Sequence, residues 1–581
     1  MAGSGLNLLG PAPSVLSATL LRSPWNDSSV PSDAQKRIVQ QLLSRGYNAD
    51  REAIALLASA PDPDRAIDQA IVETSDDALK LTAAQVRSAL DVDRTDSGAD
   101  RAGTTHDPVD GGDADSIVGG DSDLDDGGDA DGTIGGNSST QPSESDRNPS
   151  ISTGTEREHP DTVGQSPVEI EGSRTPSDTT LRSLQIAGDV TDRSTGTGAY
   201  EDFVTLFRDR YERLRGMLSS RVSHRSASSL EAATGGGDAG MIGMINDVRS
   251  TANGHWLIEL EDPTGVFPAL VLSDREIADL VNELVLDEVI GVIGTLSSDG
   301  GIIFVDEIYF PDVPRTFQPT TADRHVQAAL ISDVHVGSQE FMADTWHEFA
   351  HWLHTDEAAP VEYVLIAGDM VEGVGVYPDQ DEELDIVDLY DQYEQFAEHL
   401  TELPGDLEIV MIPGNHDAVR LAEPQPAFDE ELRGIMSAHD ATITGNPSTV
   451  TIEGVSVLMY HGVSLYELIT ELPAEKASFD DPHTAMYHLL KKRHLAPQYG
   501  GHMRLAPEER DYLVIEEVPD VFHTGHLHKL GVGRYHNVVA INSGCWQAQT
   551  SYQKSNNIDP DVGYAPILDL DTLDVTIRKF T

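Results

Sequence analysis

Cysteine is almost missing from this chain. Cys545 stands alone in 581 residues, which excludes an internal disulfide framework and fits a reducing, cytoplasmic setting. Lysine is rare too, and most cations are arginine. Lys plus Arg total 38 against 99 Asp plus Glu, a formal net charge of −61. That balance argues against long-range attraction to nucleic-acid phosphates as the main binding force, while leaving room for a local patch. Acidity this deep suits concentrated salt, where the surface stays hydrated and self-repulsion is screened. No run approaches the roughly 20 apolar residues of a membrane span, so no membrane partner is expected. The first 22 residues lack a basic start and a cleavage site, so they do not read as a signal peptide.

A chain of this length should hold more than one domain. Residues 1–32 read as a disordered tail. Over 33–90, Ile38, Val39, Leu42 and Leu43 recur at helical spacing, Gly46-Tyr47-Asn48 breaks the pattern, and Ile54, Leu56 and Leu57 resume it. A small helical docking module is expected there. From 91 to 200 the composition collapses to Asp, Gly, Ser and Thr, which cannot repay the entropy of ordering, so a disordered acidic linker is expected. Asp121, Asp123, Asp125 and Asp126 lack the fixed Gly and Glu of a calcium loop.

Residues 201–320 open on a helix carrying Phe203, Leu206, Phe207, Tyr211, Leu214 and Leu218. Short strands follow near 241–245, 256–260, 266–272, 289–293 and 301–305, with a helix-like segment at 275–284 before the fourth. That is the order of an OB-fold β-barrel. Such a barrel binds single strands or docks a protein. Trp256, Phe267, Phe304 and Tyr309 suit a core as well as a stacking platform, and the acidity favours docking. From 321 to 581 strands alternate with helices, including ones over 343–353 and 386–400, which predicts a layered α/β domain.

Within that last region, apolar runs end at once in metal-binding residue types. Asp333 and His335 follow the first run, Asp369 the second, and Asn415, His416 and Asp417 the third. His461 follows the fourth, and His526 and His528 the fifth. Ligand sites in layered sheets lie beyond strand carboxyl ends, so one rim should carry a metal centre. Mixed His, Asp and Asn donors suit Mn, Zn or Fe better than Ca or free Mg, and the absence of Cys ligands argues against structural zinc. Gly368, Gly414, Gly462 and Gly525 would let the backbone turn tightly and approach the ions.

The order Asp-x-His, Gly-Asp, Gly-Asn-His-Asp, His-Gly, Gly-His-x-His resembles the calcineurin-like metallophosphoesterases. The resemblance implies a layered β-sandwich flanked by helices. It implies that Asp333, His335 and His528 hold one ion, that Asn415, His461 and His526 hold the second, and that Asp369 bridges them. His416 would stabilise or protonate the leaving oxygen, and Asp417 would orient it. A barrel directly before such a domain is the arrangement of the small subunits of B-family and D-family replicative polymerases. Residues 332–341, 493–501 and 542–554 resemble the archaeal D-family small subunit closely. That likeness implies a manganese-dependent 3′-to-5′ proofreading exonuclease, with Zn or Fe as other candidate ions. It implies as partners the large catalytic polymerase subunit, single-stranded or frayed 3′ ends of DNA, and a sliding clamp.

Rival readings remain open. A scaffold subunit with a silent site, or a phosphatase or other phosphodiesterase, would share the ligands. His347-Glu348-Phe349-Ala350-His351 matches the His-Glu-x-x-His of zinc proteases, but Trp346, Phe349, Ala350 and Leu353 would bury that helix, and no third ligand is evident. His523 reads as a packed histidine. Lys491-Lys492-Arg493, the one compact basic cluster, reads either as a phosphate contact or as a solvated helix end.

Overall fold

The computed structural model describes residues 174–581, apart from 192, 195, 197, 234, 377–379, 438–439, 501–502 and 556, together with scattered positions between 48 and 87. The expected tail, the helix over 34–43 and the linker over 91–173 lie outside these residues. The N-terminal positions belong to a unit of their own, residues 24–163. Within it the helix Pro63–Val72 buries Ala66, Ile67 and Ala70 against Ala53, Leu57 and Val86, and Asn48–Ala49 pairs in parallel with Lys80–Leu81.

The rest of the described chain starts with a departure from expectation. Leu184–Ala187, within the supposed linker, is strand β1, and it pairs antiparallel with a strand near residue 450. Four residues with alternating burial are too short a signal to stand out beside the Ser- and Thr-rich sequence around them. The helix Tyr200–Leu218 follows, then β2 (Gly237–Ser250), β3 (Trp256–Asp262), β4 (Gly265–Val271), β5 (Val289–Leu296) and β6 (Ile303–Tyr309). These close a barrel in the order β2-β3-β4-β6-β5, with a 3-10 helix, Glu276–Glu283, before the fourth strand. β2 runs well beyond the expected 241–245: Gly237–Met244 pairs with β5 in continuous register, and Met244–Ser250 pairs with β3 across a register shift between Ile245 and Asp247. Phe267 is core and Phe304 is exposed. Trp256 packs on the barrel core, and Tyr309 packs under the 200–218 helix.

The C-terminal region is built from β7 (Gln327–Ile331), β8 (Val361–Ala367), β9 (Glu408–Ile412), β10 (Thr442–Ile443), β11 (Ser448–Ile452), β12 (Val455–Met459), β13 (Val521–Thr524), β14 (Leu530–Tyr535), β15 (Val538–Ser543), β16 (Tyr564–Asp569) and β17 (Val575–Lys579). They form two six-stranded sheets, β10-β9-β8-β7-β16-β17 and β14-β15-β13-β12-β11-β1. Strand periodicity explains the layers. Ala328, Leu330, Tyr363, Leu365 and Ala367 of the first sheet meet Val450, Val457, Met459 and Val521 of the second. The alternate residues, Ala329, Ile331, Val364 and Ile366, face Trp346, Phe349, Tyr393 and Phe396 of two covering helices. Leu458, Tyr460 and Phe522 face Leu465, Leu468, Met486 and Leu489 on the far side of the second sheet. Each central strand is therefore apolar on both faces, which is why it reads as an unbroken apolar run. Among the described residues no helix is long and apolar enough to cross a membrane.

The basic cluster 491–493 is neither a phosphate contact nor a solvated end. It fastens the barrel to the two-sheet region. Lys492 is buried and bonds Glu288 at 2.9 Å and the Glu283 carbonyl at 2.7 Å. Lys491 and Lys476 bond the Glu283 carboxylate at 2.5 and 2.6 Å. Arg493 donates to the carbonyls of Ile515, Glu516 and Asp312. From the 200–218 helix, buried Arg210 reaches Asp511 at 2.7 Å, which also meets His494 at 2.9 Å.

Removing one partner of a buried pair strands the other charge, so Lys492→Met should lower the urea-unfolding free energy by about 3–5 kcal/mol. Pairing it with Glu288→Leu should restore much of that loss. No change in the single variant would contradict the fastening. Burial pushes the Glu283 carboxyl up, but hydrogen bonds from Lys476 and Lys491 outweigh it and hold it at about 2. Its folded value lies below its unfolded one, so its contribution is complete above pH 4.5 and is lost as pH falls toward 2. Across that window the wild type should lose stability relative to Glu283→Gln. Parallel melting curves for the two proteins would refute this.

Candidate metal centre

The expected ligands lie just past strands of the two facing sheets. Asp333 and His335 follow β7, Asp369 follows β8, and Asn415 follows β9. From the other sheet, His461 follows β12, and His526 and His528 follow β13. The structure brings them together in two groups, Asp333 with His335 and His528, and Asp369 with His461 and His526. In the first, the Nε2 atoms of His335 and His528 face each other at 3.0 Å, and Asp333 Oδ1 lies 3.5 Å from His528 and 3.9 Å from His335. In the second, His461 Nε2 lies 3.2 Å from Asp369 Oδ2 and 3.0 Å from Asn415 Oδ1. The rings of His461 and His526 are 5.1 Å apart. Asp369 Oδ2 is also 3.8 Å from His335 Nε2, so one carboxylate faces both groups.

Imidazole nitrogens that face one another beside buried carboxylates fit divalent cations of the Mn, Zn or Fe class better than a hydrogen-bonded core. The contacts behind the donors agree. His335 Nδ1 lies 2.9 Å from Glu372 Oε2, His461 Nδ1 donates to the Ala367 carbonyl at 2.8 Å, and His528 Nδ1 lies 2.9 Å from Gln553 Nε2. With Nδ1 of His461 and His528 engaged outward, and that of His335 facing a carboxylate, Nε2 is turned toward the centre.

The backbone is bent to the same end. Asp333, His335, Asp369, His526 and His528 all have φ between 52° and 69°, the left-handed region that side chains rarely adopt. Strain of this kind persists only where the surroundings impose it, and it gathers at functional sites. Two glycines make room for the carboxylates. A Cβ on Gly414 would fall on the Asp369 carboxylate, and one on Gly525 would fall on that of Asp333.

Charges follow the geometry. Burial pushes Asp369 up, but the neighbouring His461 and His416 outweigh it and hold its carboxyl well below the usual range. Burial pulls His461 down, but Asp369 outweighs it and raises the ring to about 10. Burial and the nearby Asp369 together push Asp417 up to about 7.

His416 lies beside the first group, its ring 4.8 Å from that of His335. Its backbone N–H donates to Asp369 Oδ1 at 2.8 Å, and its Nδ1 bonds the Glu372 carbonyl at 2.8 Å. The Glu372 carbonyl thus holds the His416 ring from behind. Asp417 accepts from the backbone of Gly414 at 2.8 Å and Met370 at 3.2 Å, and from Tyr393 Oη at 3.1 Å. It ties the loops after β8 and β9 together, a task suited to a buried carboxyl close to hydrogen-bond donors. Sequence reasoning missed Glu372. Its one signal is its place three residues beyond Asp369, in a chain where acids are too common to stand out. His523 is a packed residue, buried with Nε2 3.2 Å from Ser543 Oγ. His347 and His351 lie on the Ala343–Leu353 helix, outside both ligand groups.

Residues 328–530 match the family of the B subunit of DNA polymerase alpha/epsilon. The chain is 58% identical over 552 residues to the DNA polymerase II small subunit of Halobacterium salinarum, covering 95% of this chain and all of that one. It belongs to the DNA polymerase II small-subunit family. This is the small-subunit family of archaeal family-D polymerases. The member from Archaeoglobus fulgidus is 42% identical over 389 residues, covering 66% of this chain and 78% of that one. The Pyrococcus furiosus small subunit is 37% identical, covering 64% and 63%. Every ligand in the two groups, with Asn415, His416, Asp417 and Glu372, falls inside the matched span 328–530.

If the Glu372 carboxylate, 2.9 Å from His335 Nδ1, fixes the ring of His335, Glu372→Ala should weaken manganese binding by about 10–100-fold in calorimetry, the usual scale for a residue behind a metal ligand. Unchanged affinity would remove it from the site.

Proposed function

We propose that this chain is the 3′-to-5′ proofreading exonuclease of a two-chain DNA polymerase, working beside a separate large catalytic subunit. The observation that carries the reading is the complete donor set with His416 held beside it. In this reading the barrel is an OB-fold and the two-sheet region a calcineurin-like phosphoesterase. The strand order β2-β3-β4-β6-β5 and the helix–sheet–sheet–helix layering support those assignments.

Asp333, His335 and His528 would hold one ion, and Asn415, His461 and His526 the other, with Asp369 between. Manganese is the ion proposed, with zinc or iron as alternatives. When bound, two such cations supply Lewis-acid polarisation of a phosphodiester and neutralise the charge that develops on it. The chain's residues do the rest. Asp369 and Asp333 set the spacing of the two halves. His416, pinned through Nδ1, presents Nε2 to the scissile link. Burial disfavours its charged form, but Asp369 and Glu372 outweigh that and raise its pKa, which suits a proton donor. Water adds to phosphorus and gives up a proton to solvent, the bond to the 3′ oxygen breaks, and that oxygen leaves with the proton from His416, which solvent then restores. The substrate is a single-stranded or frayed 3′ end. A duplex end would have to open before its last link reached a centre buried this far.

A labelled primer with a mismatched 3′ end, in manganese and high potassium chloride, tests the reading. Stepwise shortening from the 3′ end is expected, and should strengthen when the large subunit is added. A chain inert under all these conditions would instead be a scaffold, and cleavage confined to small phosphomonoesters would make it a phosphatase. His416→Ala should lower the rate by about 10²–10⁴-fold, the range for a lost proton donor, while elemental analysis finds manganese undiminished. Loss of manganese in that variant would contradict the role.

A further inference from the structure

We infer that a further metal site, selective for zinc, lies where the Ala343–Leu353 helix meets the end of the Leu389–Thr401 helix. Its ligands are His347, His399 and Glu402. None of them belongs to the two groups of the centre described above.

Glu402 is the junction. It caps the Leu389–Thr401 helix, and its Oε1 lies 3.1 Å from His399 Nδ1 and 3.1 Å from His347 Nε2. His399 and Glu402 are three apart on one helix, a spacing that places two ligands on one face. His347 comes from the neighbouring helix, so the site joins two elements. Donor atoms about 2.0–2.1 Å from a tetrahedral zinc stand roughly 3.3 Å from one another, close to the separations seen here.

Two further observations point to a ligand. Glu402 Oε2 is buried and takes no hydrogen bond among the described residues. A carboxylate that only accepted from two histidines through Oε1 would leave that second oxygen unexplained. His399 is also built in place. Its side chain is 7% exposed, and its ring is held edge-on by Phe341 and Trp346, with centroids 5.2 and 6.1 Å away. The side nearest solvent is His347, 53% exposed, where water can fill a fourth position. Two imidazoles and one carboxylate favour zinc over magnesium or calcium, which call for more oxygen donors.

The site gives His347 of the His-Glu-x-x-His pattern a use other than that of a protease. Its companion would be His399 of the next helix and not His351. A zinc ion here would clamp the two helices that cover the first sheet, one of which carries Tyr393, the partner of Asp417. The inference stands apart from the proposed cleavage, because it is read by counting zinc.

Metal-free full-length protein is incubated with zinc and passed through gel filtration, and its zinc is counted by elemental analysis. Wild type and His351→Ala should each retain about one equivalent more than His347→Ala and Glu402→Gln. His347 is half exposed and Gln keeps the shape of Glu, so both variants should fold, which circular dichroism checks. Manganese-supported cleavage should match wild type in His347→Ala. Equal zinc in wild type and both variants would overturn the site. Loss of an equivalent in His351→Ala would overturn it as well, by returning the metal to His-Glu-x-x-His.

Discussion

Asp369 is the residue on which the arrangement rests. Its Oδ2 faces His461 at 3.2 Å and His335 at 3.8 Å, one member of each ligand group, while Oδ1 takes the N–H of His416. A buried carboxylate can serve two groups only if strands from two sheets end at the same depth. β8 lies in the interior of its sheet, between β7 and β9, and so delivers Asp369 between Asp333 and Asn415. Gly414 leaves room for it, and Asp417 fixes the loops on either side. The left-handed backbone at Asp333, His335, Asp369, His526 and His528 is the strain that this convergence imposes.

Acidity shapes the rest of the molecule in a less obvious way. With lysine so scarce, it is notable where lysines went. Lys476, Lys491 and Lys492 meet Glu283 and Glu288 at the seam between barrel and sheets, not a surface open to nucleic acid. Basic residues in a chain of net charge −61 are most valuable where two acidic pieces must touch. Under the proposed function, a strand of DNA would be held by short-range contacts at the centre more than by long-range attraction.

The sequence disclosed what short-range rules govern. Strand ends were legible because a strand buried on both faces must be apolar throughout, so Asp, Asn or His directly after the run marks where it opens onto a polar rim. The Ala343–Leu353 helix matches its expected bounds. The barrel order was legible from turns and spacing, although β2 outran its expected length because its glycines look like breaks. What escaped notice depends on contacts between distant residues. Glu372 is one acid among 99, and only the fold places it against His335 and His416. Strand β1 hides in low-complexity sequence, since its partner lies more than 250 residues away. The basic cluster could not reveal its partners, because Glu283 and Glu288 sit in another domain. The pairing of His347 with His399 was hidden in the same way, behind a local motif that suggested His351.

Anomalous diffraction from crystals of the full chain soaked in manganese tests the central claim most directly. The account predicts two peaks, one among Asp333, His335 and His528 and one among Asn415, His461 and His526, with Asp369 touching both. A single peak, or density away from these residues, would contradict it.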